Sequence, residues 1–176
     1  MAAIYMRQAV QADIPAIMTI IEGAKKQLKQ AGSPQWQDGY PNADVLAQDL
    51  VNESLHVLIV DGKIAGTVSL VVGVEPTYAV IDGAGWRKPD APYATIHRIA
   101  ISRDYAGLHL GKLFISNIIS HAYAHGVHNL RIDTYKLNQA MQHVATGSGF
   151  DYRGVVYMDN GASGEHRDRL AYELNL

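Results

Sequence analysis

Ile99-Ala-Ile-Ser-Arg-Asp-Tyr-Ala-Gly-Leu-His-Leu-Gly-Lys112 is the stretch on which the fold turns. It leaves a β-branched run, passes through a turn holding Gly107, and enters a segment in which Leu110, Leu113, Phe114, Ile118 and Ala122 recur at helical spacing. Free N–H groups at a helix start, with the partial positive charge of the helix end, suit a phosphate or diphosphate. Gly107 and Gly111 let such a group approach the backbone. Glycine at a strand-to-helix joint also serves ordinary turn geometry, so both readings stand at this point. The spacing is neither that of a GxxxxGK[ST] phosphate loop nor that of a GxGxxG dinucleotide turn.

Upstream, Tyr93 to Ile101 reads as the strand feeding this turn, and Gly126 as the helix stop. Leu55 to Val60, Asp61-Gly62 and Ile64 to Val74 form a hairpin signal, because Asp-Gly suits a tight turn with positive φ. Ile4 to Val10 is a first strand. Asp13 and Pro15 open a helix carrying Ile14, Ile17, Ile21 and Leu28, ending near Gly32-Ser33-Pro34, and Asn42 caps a second helix with Val45, Leu46, Leu50 and Val51. Thr77 to Ile81 reads as a further strand and Gly83 to Pro92 as loop. Downstream, Asn129 to Tyr135 is strand and Gln139 to about Gly147 a short helix. Tyr152 to Met158 and Leu170 to Leu174 pair around a Gly-rich loop. Hairpins combined with a β-α-β-α-β core predict an α/β fold with a mixed sheet and helices on both faces.

The 176 residues suit one domain, 1–176, and 48% hydrophobic with 18% charged residues is a globular balance. A net charge of -2 without a basic stripe argues against nucleic acid as a partner. Cysteine is absent, which excludes disulfides and thiolate chemistry. The eight histidines lack HExxH spacing, so no metal is expected. Neither a secretory signal nor an apolar run of the roughly 20 residues a membrane span needs is visible, so a cytoplasmic location and no membrane contact are expected.

This segment and the chain downstream of it resemble the GNAT (Gcn5-related N-acetyltransferase) family, and the likeness extends over most of the chain. The family turn [Arg/Gln]-x-x-Gly-x-[Gly/Ala] corresponds to Ala106-Gly107-Leu108-His109-Leu110-Gly111, in which only Gly111 keeps the pattern. Left-handed φ is tolerated by His better than by bulkier residues, and Arg103 and Lys112 offer positive charge. Leu130-Arg-Ile-Asp-Thr134, Asn138 and Gly149-Phe150 resemble the family's second half. Gln35-Trp36-Gln-Asp-Gly-Tyr40-Pro41 and Ile96-His97-Arg98 are similar to a bacterial subset of it. The resemblance implies a mostly antiparallel sheet with a splayed parallel strand pair and acetyl-CoA as co-substrate. It implies a cofactor site made by Ile99, Ala100, Ile101, residues Ala106 through Lys112 and Asn138, although Asn138 equally suits a plain N-cap.

The implied chemistry is direct attack of an amine, from a small molecule or a protein, on the thioester carbonyl. It needs a base, a backbone N–H to polarise the carbonyl and an acid for the leaving thiolate. His97 is the preferred base, with Asp133 second; Asp133 equally suits a structural pair with Arg98 or Arg131. The family's usual acid, a Tyr seven residues after the Asn, is Ala145 here, leaving Tyr135, Tyr157 or water. Trp36, Tyr40, Trp86 and Tyr93 suit an acceptor cleft or core packing equally. The competing function is a non-catalytic acyl-CoA sensor or partner-binding module of the same fold. A monomer or a homodimer is expected.

Overall fold

The computed structural model describes residues 2–159 and 166–176. A first strand, β1 (Ile4–Gln8), leads into two helices, α1 (Ile14–Gln30) and α2 (Ala43–Val51). Asn42 caps α2 by accepting the Val45 N–H at 3.0 Å. Asp13 does not cap α1 with its side chain; its carboxylate is held instead by Arg7 at 2.6 Å and by the Val10 N–H at 2.8 Å.

The hairpin β2 (Leu55–Val60) and β3 (Lys63–Val72) turns at Asp61 and Gly62, whose φ values of 47° and 78° are the positive pair that an Asp-Gly turn supplies. The segment expected as a strand at Thr77 to Ile81 is instead a single 3-10 turn, Pro76–Tyr78. Glu75 stops the extension by accepting the Thr77 N–H, and Pro76 presets the turn's φ. The loop expected over 83–92 contains one end of a two-residue strand, β4 (Asp82–Gly83). Next come β5 (Ala94–Ile101), α3 (Leu110–Ala124), β6 (Asn129–Thr134) and α4 (Gln139–Gly147). β7 (Asp151–Asp159) and β8 (His166–Asn175) close the chain, and the Gly-rich loop between them lies outside the described residues.

These strands form one sheet in the order β1-β2-β3-β5-β6-β8-β7-β4, antiparallel throughout except for β5 beside β6. Alternation along the strands divides the core. One face carries Leu58, Val68, Ile96, Leu130 and Ile132 under α3 and α4, centred on the fully buried Phe114. The other carries Leu55, Val57, Ile59 and Ala100 under α1 and α2. No described helix is long and apolar enough to cross a membrane.

Three imidazoles meet at the far end of α3. His56 of β2 lies edge-on to His121 at 4.7 Å between ring centroids, and His121 lies 4.2 Å from His125. They line a cavity of about 380 Å³ with Glu53 and Asn52 at its rim. Burial above all holds both His56 and His121 below the ordinary 6.5; the Ser54 carbonyl partly opposes it at His56, where His125 adds to it, and His56 and His125 add to it at His121. Between those lowered values and 6.5 the unfolded chain binds more protons than the folded one, so stability falls as pH drops through that window and is level below it. Urea midpoints are expected to decline from near pH 6.5 downward, and more shallowly in His121→Gln. Parallel profiles for the two proteins would exclude the trio as the cause.

Candidate functional site

The parallel ladder joining β5 to β6 consists of Ala94 opposite Leu130 and Thr95 opposite Arg131, and then ends. Beyond it β5 continues six residues paired only with β3, while β6 stays paired with β8 as far as Thr134. The cause lies in β5 itself. Ser69 faces His97 but Thr67 faces Ala100, so Arg98 and Ile99 share one position opposite Val68, and Arg98 takes φ 52°. Such a bulge bends its strand and leaves one residue outside the ladder. The sheet therefore opens as a V towards the ends of the two strands.

At the mouth of this V, β5 runs through a 3-10 turn at Arg103–Tyr105, capped by Ser102, into α3. Gly107 at φ 81° and His109 at φ 52°, ψ 30° set the approach, so His109 does adopt the left-handed conformation that a family glycine would take. No side chain caps α3. The N–H groups of Leu110, Gly111 and Lys112 open the helix and have no intrahelical acceptor. Gly111 is required by packing: a Cβ there would stand 2.9 Å from Val144 Cγ2 of α4. Lys112 lies across Gly147, with Nζ 2.8 Å from where a Cβ would be, so its charge sits at the C-terminal end of α4. Arg103 lines an open groove of about 550 Å³ with Thr19 and Lys26 of α1.

Asn138 starts α4, accepting the Met141 N–H at 3.2 Å; its amide N–H reaches Gln35 Oε1 at 3.4 Å. The N-cap reading thus holds for its oxygen. The loop between α1 and α2 meets the start of α4 through this contact.

On the α1/α2 face of the V, His97 Nε2 lies 3.2 Å from Glu75 Oε2. That bond above all holds the Glu75 carboxyl down at about 2. Glu75 was not legible as a site residue, being a lone carboxylate in a loop 22 positions from its partner. Its local signal, Glu-Pro-Thr, announces only a turn. Asp133 of β6 accepts the Tyr78 hydroxyl at 2.7 Å and lies 3.4 Å from Arg169 Nε. Burial raises the Asp133 carboxyl above the usual range against the opposing pull of Tyr78, His97 and Arg169. The expected pairing of Asp133 with Arg98 or Arg131 is therefore corrected. Arg98 turns at the bulge to Asp49 of α2, and Arg131 pairs with Glu173 at 3.3 Å, both side chains almost wholly buried.

Tyr135, just past β6, is buried beneath the Arg169 guanidinium, 3.7 Å from its ring centroid. Tyr157 is on β7, two strands beyond β6, where its hydroxyl donates to Asp82. Ala145 is buried in the core beneath α3. Of the four aromatic candidates, Tyr40 lies closest to the β5 bulge, its hydroxyl accepting from Arg98 at 2.5 Å. Trp36, at φ 63°, packs on the α1/α2 cluster. Trp86 and Tyr93 clasp Arg131 at 4.1 and 3.9 Å. The Trp86 N–H donates to the Tyr78 carbonyl, and the Tyr93 hydroxyl accepts the Glu75 N–H at 2.7 Å. Packing accounts for these two rings. Among the described residues no cluster of three or more His, Asp or Glu is arranged to hold a metal ion.

Residues 21–150 match the model of the acetyltransferase (GNAT) family. A crystal structure of a GNAT-family acetyltransferase from Streptococcus agalactiae shares 33% identity and superposes with a TM-score of 0.87, covering 98% of this chain and 95% of that one. A second, from Listeria monocytogenes, shares 19% identity at TM-score 0.73, again over 98% and 95% of the two chains. The yncA protein of Salmonella typhimurium, solved with acetyl-CoA, shares 20% identity at TM-score 0.67 over 99% of this chain and 94% of its own. The latter two likenesses show the shared fold. No curated protein sequence matches the chain.

Proposed function

The chain belongs to the GNAT acetyltransferase family, with acetyl-CoA as co-substrate, and on that premise we propose that it acetylates a primary amine by direct attack on the thioester. The observation that carries the reading is a parallel ladder ending after two pairs beside an uncapped helix start. A gap of this kind offers an extended acyl-pantetheine arm the main-chain groups that a β-strand would otherwise take, and the N–H groups at residues 110–112 suit the diphosphate. Ile99, Ala100 and Ile101 form the β5 rim, with Ala106 through Lys112 and Asn138 around the mouth.

His97 takes the proton of the acceptor ammonium, leaving a neutral amine to attack the carbonyl carbon. A main-chain N–H on the β5 rim holds the oxyanion as the C–N bond forms. As the C–S bond breaks, the thiolate takes a proton, and the second proton lost by the attacking nitrogen returns through solvent to the donor. Tyr135 is the phenol just past β6 on that side of the gap and is our choice for that donor, since Tyr157 sits two strands beyond β6, bonded to Asp82. Asp133, partnered by Tyr78 and Arg169, acts in this reading by holding that wall of the site, with its charge partly matched. Tyr40 and Trp36, on the loop facing the β5 bulge, border the acceptor entrance. The family contains both small-molecule and protein acceptors, and either class fits an entrance of this kind.

Free-thiol release from acetyl-CoA across a panel of small amines and peptide N-termini tests the proposal. Acceptor-dependent CoA production is expected. Saturable acetyl-CoA binding with no CoA produced by any amine would favour the sensor reading instead.

A further inference from the structure

The carboxylate of Glu75 is held at both ends. Oε1 accepts the Thr77 N–H at 3.2 Å and the Thr77 hydroxyl at 2.8 Å, while Oε2 faces His97 Nε2. Its main chain is fixed as well, because the Glu75 N–H donates to the buried Tyr93 hydroxyl. Three separate groups thus aim one oxygen at His97, which stands on β5 immediately before the bulge that opens the sheet.

An ionised carboxylate only accepts hydrogen bonds. The ring nitrogen facing it must therefore carry a proton, and in a neutral imidazole the other nitrogen then carries the lone pair. We infer that Glu75 is a positioning residue for acetyl transfer, fixing His97 as the Nε2–H tautomer so that Nδ1 is the atom that receives the acceptor's proton. The inference rests on the N-acetyltransferase reading given above. During the reaction the ammonium proton moves to Nδ1, and the imidazolium so formed keeps its Nε2–H on Glu75. Glu75 stays ionised and gains no proton, and the amine lone pair is released for attack. Without Glu75 the ring is free to rotate about χ2 and to exchange tautomers, which leaves a fraction of molecules with no lone pair towards the acceptor.

A purely structural Glu75 would pin residues 73–78 and nothing more. Two readouts separate the roles. The first is nitrogen NMR of the histidine-labelled full chain at about pH 8, above the ordinary imidazole value. Wild type is expected to give His97 as the Nε2–H tautomer, and Glu75→Ala a tautomer mixture. The second is a double-mutant cycle on kcat. By analogy with the carboxylates that orient other functional imidazoles, Glu75→Ala is expected to lower kcat by about 10- to 100-fold with little change in KM for acetyl-CoA. The same change is expected to lower it no further in a His97→Ala background.

Thr77→Ala, which loosens Oε1 but leaves the charge, should fall between wild type and Glu75→Ala. An Nδ1–H tautomer in wild type overturns the proposal, as does an undiminished kcat in Glu75→Ala or a full further loss in the His97→Ala background. If no amine yields CoA, the acetyltransferase reading fails, while the tautomer measurement still decides what Glu75 does to His97.

Discussion

His97→Ala is expected to lower kcat by about 10²- to 10⁴-fold, the contribution of a positioned general base, while acetyl-CoA binds as before. Its side chain is on the α1/α2 face of the sheet, whereas the proposed donor groups are main-chain atoms of β5 and of the α3 start, which the substitution leaves in place. The imidazole is 19% exposed, so truncation also opens a small void beside Glu75, and an unchanged far-UV spectrum and urea midpoint are needed to read the kinetic loss as catalytic. The loss should shrink as pH rises and more of the acceptor amine is already neutral, because a free amine has no proton for the enzyme to remove. Single-turnover and steady-state assays with a saturating donor check this. Wild-type turnover in the variant would remove His97 from the mechanism, and a parallel loss of acetyl-CoA affinity would mean a structural role.

Arg98→Ala is expected to cost about 3–5 kcal/mol in stability, the range for removing one partner of a buried ion pair. The guanidinium donates to both Asp49 oxygens at 2.7 and 2.6 Å, to the Tyr40 hydroxyl at 2.5 Å and to Ser69 Oγ at 3.1 Å. Asp49 is nearly buried, so truncation strands its carboxylate without its cation. The same change unties three elements at once: the β5 bulge, α2, and the loop carrying Tyr40. Acceptor KM should therefore rise together with the drop in urea midpoint. Replacing both partners, Arg98→Met with Asp49→Leu, should recover much of the stability, since neither charge is then left alone. It should not recover acceptor KM, because Tyr40 still lacks its anchor. An unchanged midpoint in Arg98→Ala would contradict the role given to this pair.

The patterned elements are legible because local chemistry and tertiary packing agree in them. Asp61-Gly62 supplies the turn the hairpin needs, and the apolar spacing from Leu110 to Ala122 matches the helix it forms. The helix Gln139–Gly147 is legible to its end for the same reason. Thr77 to Ile81 misleads because its composition suits a strand, while the deciding groups, Glu75 and Pro76, precede it.

The site is legible as main chain and less so as side chains. A bulge on a non-glycine residue leaves no compositional trace, yet the one at Arg98 decides where both Arg98 and His97 point. The pairing of Asp133 escapes the sequence for a related reason. Its partners, Tyr78 and Arg169, come from a turn and from β8, 55 positions upstream and 36 downstream, whereas the nearer arginines are claimed by Asp49 and Glu173. Gln35 meeting Asn138 across 103 positions is another contact no spacing announces. Lys112 is legible by charge alone, and the missing Cβ of Gly147 is what draws it along α4.

A crystal structure of the chain grown with excess acetyl-CoA bears most directly on how this protein works. The pantetheine arm is predicted to lie between β5 and β6 past Thr95 and Arg131, with the diphosphate on the N–H groups of residues 110–112 and the thioester within reach of His97. Acetyl-CoA bound elsewhere, or a groove left empty with the two strands laddered along their whole length, would contradict it.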